Sequence, residues 1–278
     1  MKKHFTFLVV IAIFLAPEGI SYSENICSTK NLTELEDVLR KSAEYCDRLV
    51  NSSFSYSCEE KISEEIFHHR PGQGRIVKSP GDKQSKKNER SAYVYGYQFR
   101  LINREIKESR ILIEENGQRR DEEDAQVKAK LFGKRLIIFE PVGLLSLEWQ
   151  PYYDYAITKK AKYRGERAIV IEATPKYVKD EDFFYAKISF RERDFAILKI
   201  EYEQRVVSGY DGIETKTAEG YEVKSRITFS SEFEADKYGI RLPSRHIIRE
   251  AYFIPEMKKS FIRSVTTVNY DKYEFSLM

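Results

Sequence analysis

Few residues in this chain have the type and spacing that chemistry needs. His68 and His69 are adjacent in a basic stretch, with no third ligand at metal-site spacing. His246 stands alone on an alternating stretch with Leu242, Ser244 and Ile248 and reads as a satisfied wall residue. There is no Gly-rich phosphate loop, no HExxH helix and no nucleophile elbow. The acidic runs Asp121-Glu122-Glu123-Asp124 and Asp180-Glu181-Asp182 lack the spacing of a calcium loop. Carboxylates meeting across strands could serve a glycosidase, but sequence spacing does not fix their separation. No catalytic residue, metal ligand or cofactor is therefore expected, and an enzyme ranks third among the readings.

Two other groups of residues are more informative. Cys46 falls on a predicted helix and Cys58 on the strand after it, each on the apolar face of its element. A Cys46–Cys58 disulfide is expected, stabilising by about 3 kcal/mol on the chain-entropy model. Cys27 would be the odd thiol, and other pairings remain open because sequence does not fix connectivity. The second group is an aromatic row. Tyr93, Tyr95, Tyr97 and Phe99 recur at period two, which puts four rings on one face of one strand. Such a row is either core or the wall of a greasy cavity whose phenol groups could meet a polar headgroup.

The elements that would position these residues follow from the pattern. Thr33-Glu34-Leu35-Glu36 has the form of a capping box. Leu35, Val38, Leu39, Ser42, Tyr45, Cys46 and Leu49 then recur at helical spacing, which predicts an amphipathic helix over about 33–50. A strand over 53–66 carries Phe54, Tyr56, Cys58, Ile62 and Ile66 on one face, interrupted by Glu60 and Glu64. The helix is expected to pack across this strand. Residues 68–90 are rich in Gly, Pro, Ser, Lys and Arg and read as a basic mobile loop. The loop is either a plain solvated segment or, over 70–90, a contact for an anionic membrane surface.

From Ser91 onward the period is two. Tyr93 to Leu101 alternate along one strand, EIKESRILIEENG (105–117) returns from a turn near Asn103-Arg104, and further strands are expected near 153–160, 166–174, 183–192, 195–208, 221–236, 240–253 and 260–275. The connections YRGE, RERD and DKYG are short, so neighbours are antiparallel and the chain meanders. Val223, Ser225, Ile227, Phe229, Ser231 and Phe233 face one way, while Lys224, Arg226, Thr228, Ser230, Glu232 and Glu234 face the other. One face of the sheet is thus wet and the other covered. The charges on the wet face also argue against a transmembrane barrel. Residues 118–130 read as a charged connection. Residues 141–149 break the alternation, and Pro141, Leu144, Leu145, Leu147 and Trp149 predict a short apolar helical segment.

The ends and the composition set the class. Lys2 and Lys3 precede an apolar run from Phe5 to Leu15, and Ser21-Tyr22-Ser23 suits a signal peptidase. Cleavage after Ser23 would leave residues 24–278 in an oxidising compartment, a length that suits one large β domain or two small ones, and the resemblance described below implies a single domain in the periplasm. The alternative is an uncleaved anchor. The chain has 47 Lys and Arg against 44 Asp and Glu, a balance that implies no nucleic acid or other polyanion as global partner. Charged residues make up 33% of the chain, yet it holds 19 tyrosines and 17 phenylalanines, which suits a wet surface over an aromatic core.

The hairpin FFYAKISFRERDFAILKIEYE (183–203), the strand YGIRLPSRHIIREAYF (238–253) and the hairpin YDYAITKKAKYRGERAIVIEATP (153–175) carry a family resemblance. In their wording and in the order helix, meander, helical break, meander, the chain resembles the LolA/LolB-like superfamily, the periplasmic lipoprotein-carrier fold. The resemblance implies a mainly β (α+β) fold in which a bent antiparallel sheet forms an incomplete barrel. An N-terminal amphipathic helix and a short central helical segment would cover it. It also implies a non-catalytic binder of lipid or of lipoprotein acyl chains. The expected cavity wall and lid are Tyr93, Tyr95, Tyr97, Phe99, Ile227, Phe229, Leu145 and Trp149. The alternative is an envelope sensor or interaction module of the same fold with its cavity filled.

Overall fold

A computed structural model describes residues 25–51, 54–67, 88–102, 105–129, 144–176, 185–204, 224–237, 239–254 and 258–277. The leader expected at 1–23 and most of the basic stretch at 68–90 lie outside these residues. One helix, α1 (Asn25–Asn51), precedes the strands β1 (Phe54–Ile66), β2 (Glu89–Ile102), β3 (Glu105–Glu115) and β4 (Gln118–Glu122). After a connection come β5 (Tyr153–Tyr163), β6 (Glu166–Pro175), β7 (Tyr185–Arg191), β8 (Ile197–Gln204), β9 (Lys224–Lys237), β10 (Ile240–Ile254) and β11 (Lys259–Leu277). All eleven form a single sheet in the order β4-β3-β2-β1-β11-β10-β9-β8-β7-β6-β5. Every neighbouring pair is antiparallel. A sheet of this width curls, because each strand adds its right-handed twist.

The order has one non-sequential neighbour. β1–β4 is one meander and β5–β11 another, and they are joined where β1 pairs with β11 along Phe54–Ile66. β4 and β5 are therefore opposite edges of the open sheet. The connection between them, 123–152, has to pass from one edge to the other. Its first described part lies over β2, where Ala125 and Ala129 are buried and the Lys128 amide donates to the Tyr95 hydroxyl at 3.0 Å. Its last part meets β5, where the Tyr155 hydroxyl donates to the Leu144 carbonyl at 2.5 Å.

The hairpins follow from their turn residues. Asn116-Gly117 and Arg164-Gly165 both have positive φ at two consecutive positions, the type I′ arrangement that matches strand twist. The Arg191–Ala196 turn is tied by the Arg191 guanidinium, which donates to both oxygens of Asp194 at 2.8 and 2.7 Å.

Four expectations need correction. Helix α1 begins at Asn25, eight residues before the capping box, so Thr33 lies inside the helix. There the following amides find carbonyls one turn back and need no cap. The helix does not pack across β1. It lies toward the other end of the sheet, where Glu34 pairs with Lys160 at 2.5 Å and the Tyr45 hydroxyl accepts from the Arg241 amide at 3.1 Å. Lys41 also sits 4.8 Å from the centre of the Phe195 ring. The segment 144–149 forms turns and then a single 3-10 turn, Gln150–Tyr152, in place of a helix. Pro151 has no amide for an α-helical bond and its ring would strike the carbonyl one turn earlier. Residues 118–122, read as a charged connection, form the edge strand β4.

Candidate functional site

Side chains alternate along each strand, so register places one continuous set on the inner face of the sheet. Tyr93, Tyr95, Tyr97 and Phe99 of β2 all lie on it and are between 0% and 6% exposed. β1 brings Tyr56 opposite Phe99, Cys58 opposite Tyr97 and Glu60 opposite Tyr95. Tyr56 stacks on Phe99 at 5.0 Å, meets Tyr97 edge-on at 6.0 Å and touches Tyr273 of β11 at 5.2 Å. Such offset and edge-on contacts each add about 0.5–1.5 kcal/mol beyond burial. The far half, on β6–β8, is mostly aliphatic, with Ile169, Ile171, Ile188 and Ile200 buried beside Phe190. Between the halves, Ile227 is buried and Phe229 half-buried on β9, and Phe229 faces Tyr202 of β8. Leu145 is fully buried, while Trp149 is 36% exposed.

A polar stripe crosses this apolar face. Arg110 of β3 donates to both oxygens of the fully buried Glu60 at 2.7 and 3.2 Å, and its guanidinium lies 4.5 Å from the Tyr97 ring centre. Desolvation works against the Arg110 charge, but the hydrogen bonds and field of Glu60 outweigh it and raise its pKa. The Tyr97 hydroxyl donates to Glu108 at 2.5 Å. Farther along, Ser264 donates to Glu250 at 2.9 Å, and burial pushes the Glu250 carboxyl up. His246 shares a 2.8 Å hydrogen bond between Nδ1 and the Ser231 hydroxyl, and its ring meets Tyr270 edge-on at 5.4 Å.

His246 is 2% exposed, and desolvation lowers its pKa to about 4, so the folded state holds it neutral near pH 7. The unfolded chain binds that proton near pH 6.5, so between these values the unfolded state carries more protons and stability rises with pH. Thermal melts are thus expected to lose stability as pH falls from 6.5 toward 4. His246→Gln should flatten that part of the profile relative to the wild type, and an unchanged slope in the variant would contradict the assignment.

Cys46 and Cys58 are both buried and are not joined by a disulfide, contrary to the sequence expectation. The reason is where α1 lies. Cys46 acts on Tyr155 of β5, whereas the charges acting on Cys58 are Glu60, Arg110 and Asp271 on the other half of the sheet. Burial raises both thiols, which suppresses their reactivity. The Cys27 side chain lies outside the described residues.

Glu60 and Glu64 interrupt the apolar row of β1 in the sequence, but no local pattern shows that Arg110 meets Glu60. That contact depends on the register of β1, β2 and β3 together. Among the described residues no group of three His, Cys, Asp or Glu could hold a metal ion. None of their helices is long and apolar enough to cross a membrane. A cleft of about 500 Å³ between α1 and the 191–195 turn is lined by Lys41, Arg48 and Arg193, by Glu44, Asp47 and Asp194, and by Phe195. Its charges balance, and no chemistry converges there.

No family model and no curated protein matches the chain. Several solved structures are similar in outline. A LolA superfamily protein from Nitrosomonas europaea is 14% identical over 86% of this chain and 92% of that one, with a TM-score of 0.32. LolA superfamily chains are thus among its structural neighbours. A DUF1329 family protein from Desulfovibrio piger is 12% identical over 86% and 93%, at 0.35. MucB is 11% identical over 86% and 93%, at 0.28.

Proposed function

We propose that this chain is a non-catalytic periplasmic protein that binds lipid or the acyl chains of lipoproteins on the inner face of its sheet. One observation carries the reading. An open sheet of eleven strands presents a largely apolar and aromatic face crossed by one polar stripe, and its two edge strands are joined by a single connection. The wall residues Tyr93, Tyr95, Tyr97, Phe99 and Ile227 are buried. Leu145 and Trp149 belong to the end of the connection that would lift as a lid. Phe229 is the half-buried residue of this set and the first that an entering chain would meet. The driving force would be burial of acyl chain, about 0.8 kcal/mol per CH₂. Residues 1–23 would be the leader that delivers the chain, and 70–90 a contact for anionic headgroups.

A second reading also has an observation behind it. Tyr56 and Phe99 stack, and Leu145 is fully buried, as in a face filled by its own side chains. The protein would then be an envelope sensor or interaction module. Protein purified without detergent should show a lipid adduct in native mass spectrometry and bind a fluorescent C16 fatty acid saturably. Phe229→Asp should abolish that binding while circular dichroism stays unchanged. A wild type with neither adduct nor saturable binding would leave the filled-face reading standing.

A further inference from the structure

We propose that the open edge of β5, with the apolar knuckle at its start, is a docking site for an extended acidic strand of another protein. The proposal does not depend on lipid binding. The two edges of the sheet are unequal. β4 has five residues, all exposed, and offers little to a partner strand. β5 has eleven and pairs only with β6, so the backbone groups along its other side have no strand beside them among the described residues. A long edge of this kind is a template for strand addition.

The knuckle gives one end of that edge an anchor point. Leu147, Trp149 and Tyr152 are 72%, 36% and 46% exposed, large values for apolar side chains within six residues of one another. Their backbone is fixed. The Ser146 carbonyl accepts from the amides of Trp149 and Gln150 at 3.1 and 3.0 Å, and the Tyr152 carbonyl accepts from the Lys176 amide at 2.9 Å. The Gln150 side chain ties the turn down, donating to the carbonyls of Leu145 at 2.8 Å and Leu39 at 3.1 Å. Trp149 and Tyr152 hold their rings 6.0 Å apart at 57°. An apolar surface held rigidly in solvent loses little entropy when a partner covers it.

The other end of the edge supplies charge. From Ile157 to Arg164 the chain carries Lys159, Lys160, Lys162 and Arg164 and no acid. Lys160 pairs with Glu34, and Arg164 with Glu232 and Glu234. Lys159 and Lys162 are exposed and take part in no ion pair among the described residues. Lysines on an edge repel a second copy of the same edge, so the partner is not another molecule of this chain. The same charges favour an acidic strand. An added strand that continues the antiparallel order would set its N-terminal half beside Lys159–Lys162 and its C-terminal end on the knuckle. Seven residues of strand span about 24 Å, which sets the distance between the acids and the apolar anchor.

Trp149 is the only tryptophan in the chain, so its emission reports occupancy of the knuckle directly. The probe is a nonapeptide with two N-terminal glutamates, alternating valine and threonine, and a C-terminal phenylalanine. It should shift Trp149 emission to the blue and bind at least ten-fold more tightly than the same peptide with lysines in place of glutamates. A proline in the middle of the peptide should abolish binding, because it removes a ladder hydrogen bond. With a fluorescein label on the peptide, Trp149→Ala should weaken binding about ten-fold. The double variant Lys159→Glu, Lys162→Glu should reverse the charge preference. Equal binding of the acidic and basic peptides, undiminished binding of the proline peptide, or no binding at millimolar peptide would each overturn the proposal. So would Trp149-dependent binding to phosphatidylglycerol vesicles without peptide binding, which would assign the knuckle to a membrane.

Discussion

Arg110→Met is expected to lower the stability of the fold by about 3–5 kcal/mol, because it strands the Glu60 carboxylate in the core. Glu60 has no exposed surface, and both its oxygens accept from Arg110. Of the two partners, Arg110 alone reaches toward water, with 16% of its side chain exposed. Adding Glu60→Leu to Arg110→Met should recover most of the loss, since two well-packed apolar side chains often replace a buried ion pair at little cost. Urea unfolding of the wild type, both single variants and the double variant closes the cycle. Losses that simply add would show that the two groups do not act as a pair.

Tyr95→Asp is expected to unfold the chain at room temperature. The ring has no exposed surface, and Glu60 is its cross-strand partner on β1. The substitution would therefore place an unpaired carboxylate beside an existing one, at a cost of several kcal/mol. That is comparable to the whole stability of a domain, roughly 5–15 kcal/mol. Tyr95→Phe is the control. It removes only the acceptor for the Lys128 amide, and about 1 kcal/mol should be lost. Circular dichroism with a fatty-acid titration reads both variants. A folded Tyr95→Asp protein with weakened binding would mean that ligand and not packed protein lies against Tyr95. A folded variant with unchanged binding would mean that the ring faces solvent.

Tyr93 to Phe99 were legible as one face because a strand's side-chain period is two whatever surrounds it. The hairpins at Asn116-Gly117 and Arg164-Gly165 were legible for a similar local reason, since few residues accept positive φ twice in succession. The Arg110–Glu60 pair was not legible, because fifty positions and two strand registers separate its members. The disulfide expectation failed for the same kind of reason. Apolar faces on adjacent elements say that two thiols are buried, not that they are buried in the same place.

What the sequence determined by itself is a mainly β, antiparallel chain, with strand limits near those observed and with the wet and covered faces of β9 assigned. These features rest on alternation and turn chemistry, which act over a few residues. The tertiary structure alone decided that β1 pairs with β11, so that two meanders become one sheet with β4 and β5 at opposite edges. It alone placed α1 toward β5 and set the 144–152 turn at that edge. Strand order, helix placement and edge exposure are fixed by contacts between residues far apart in sequence, and no local pattern encodes which distant partner a strand or a helix face will meet.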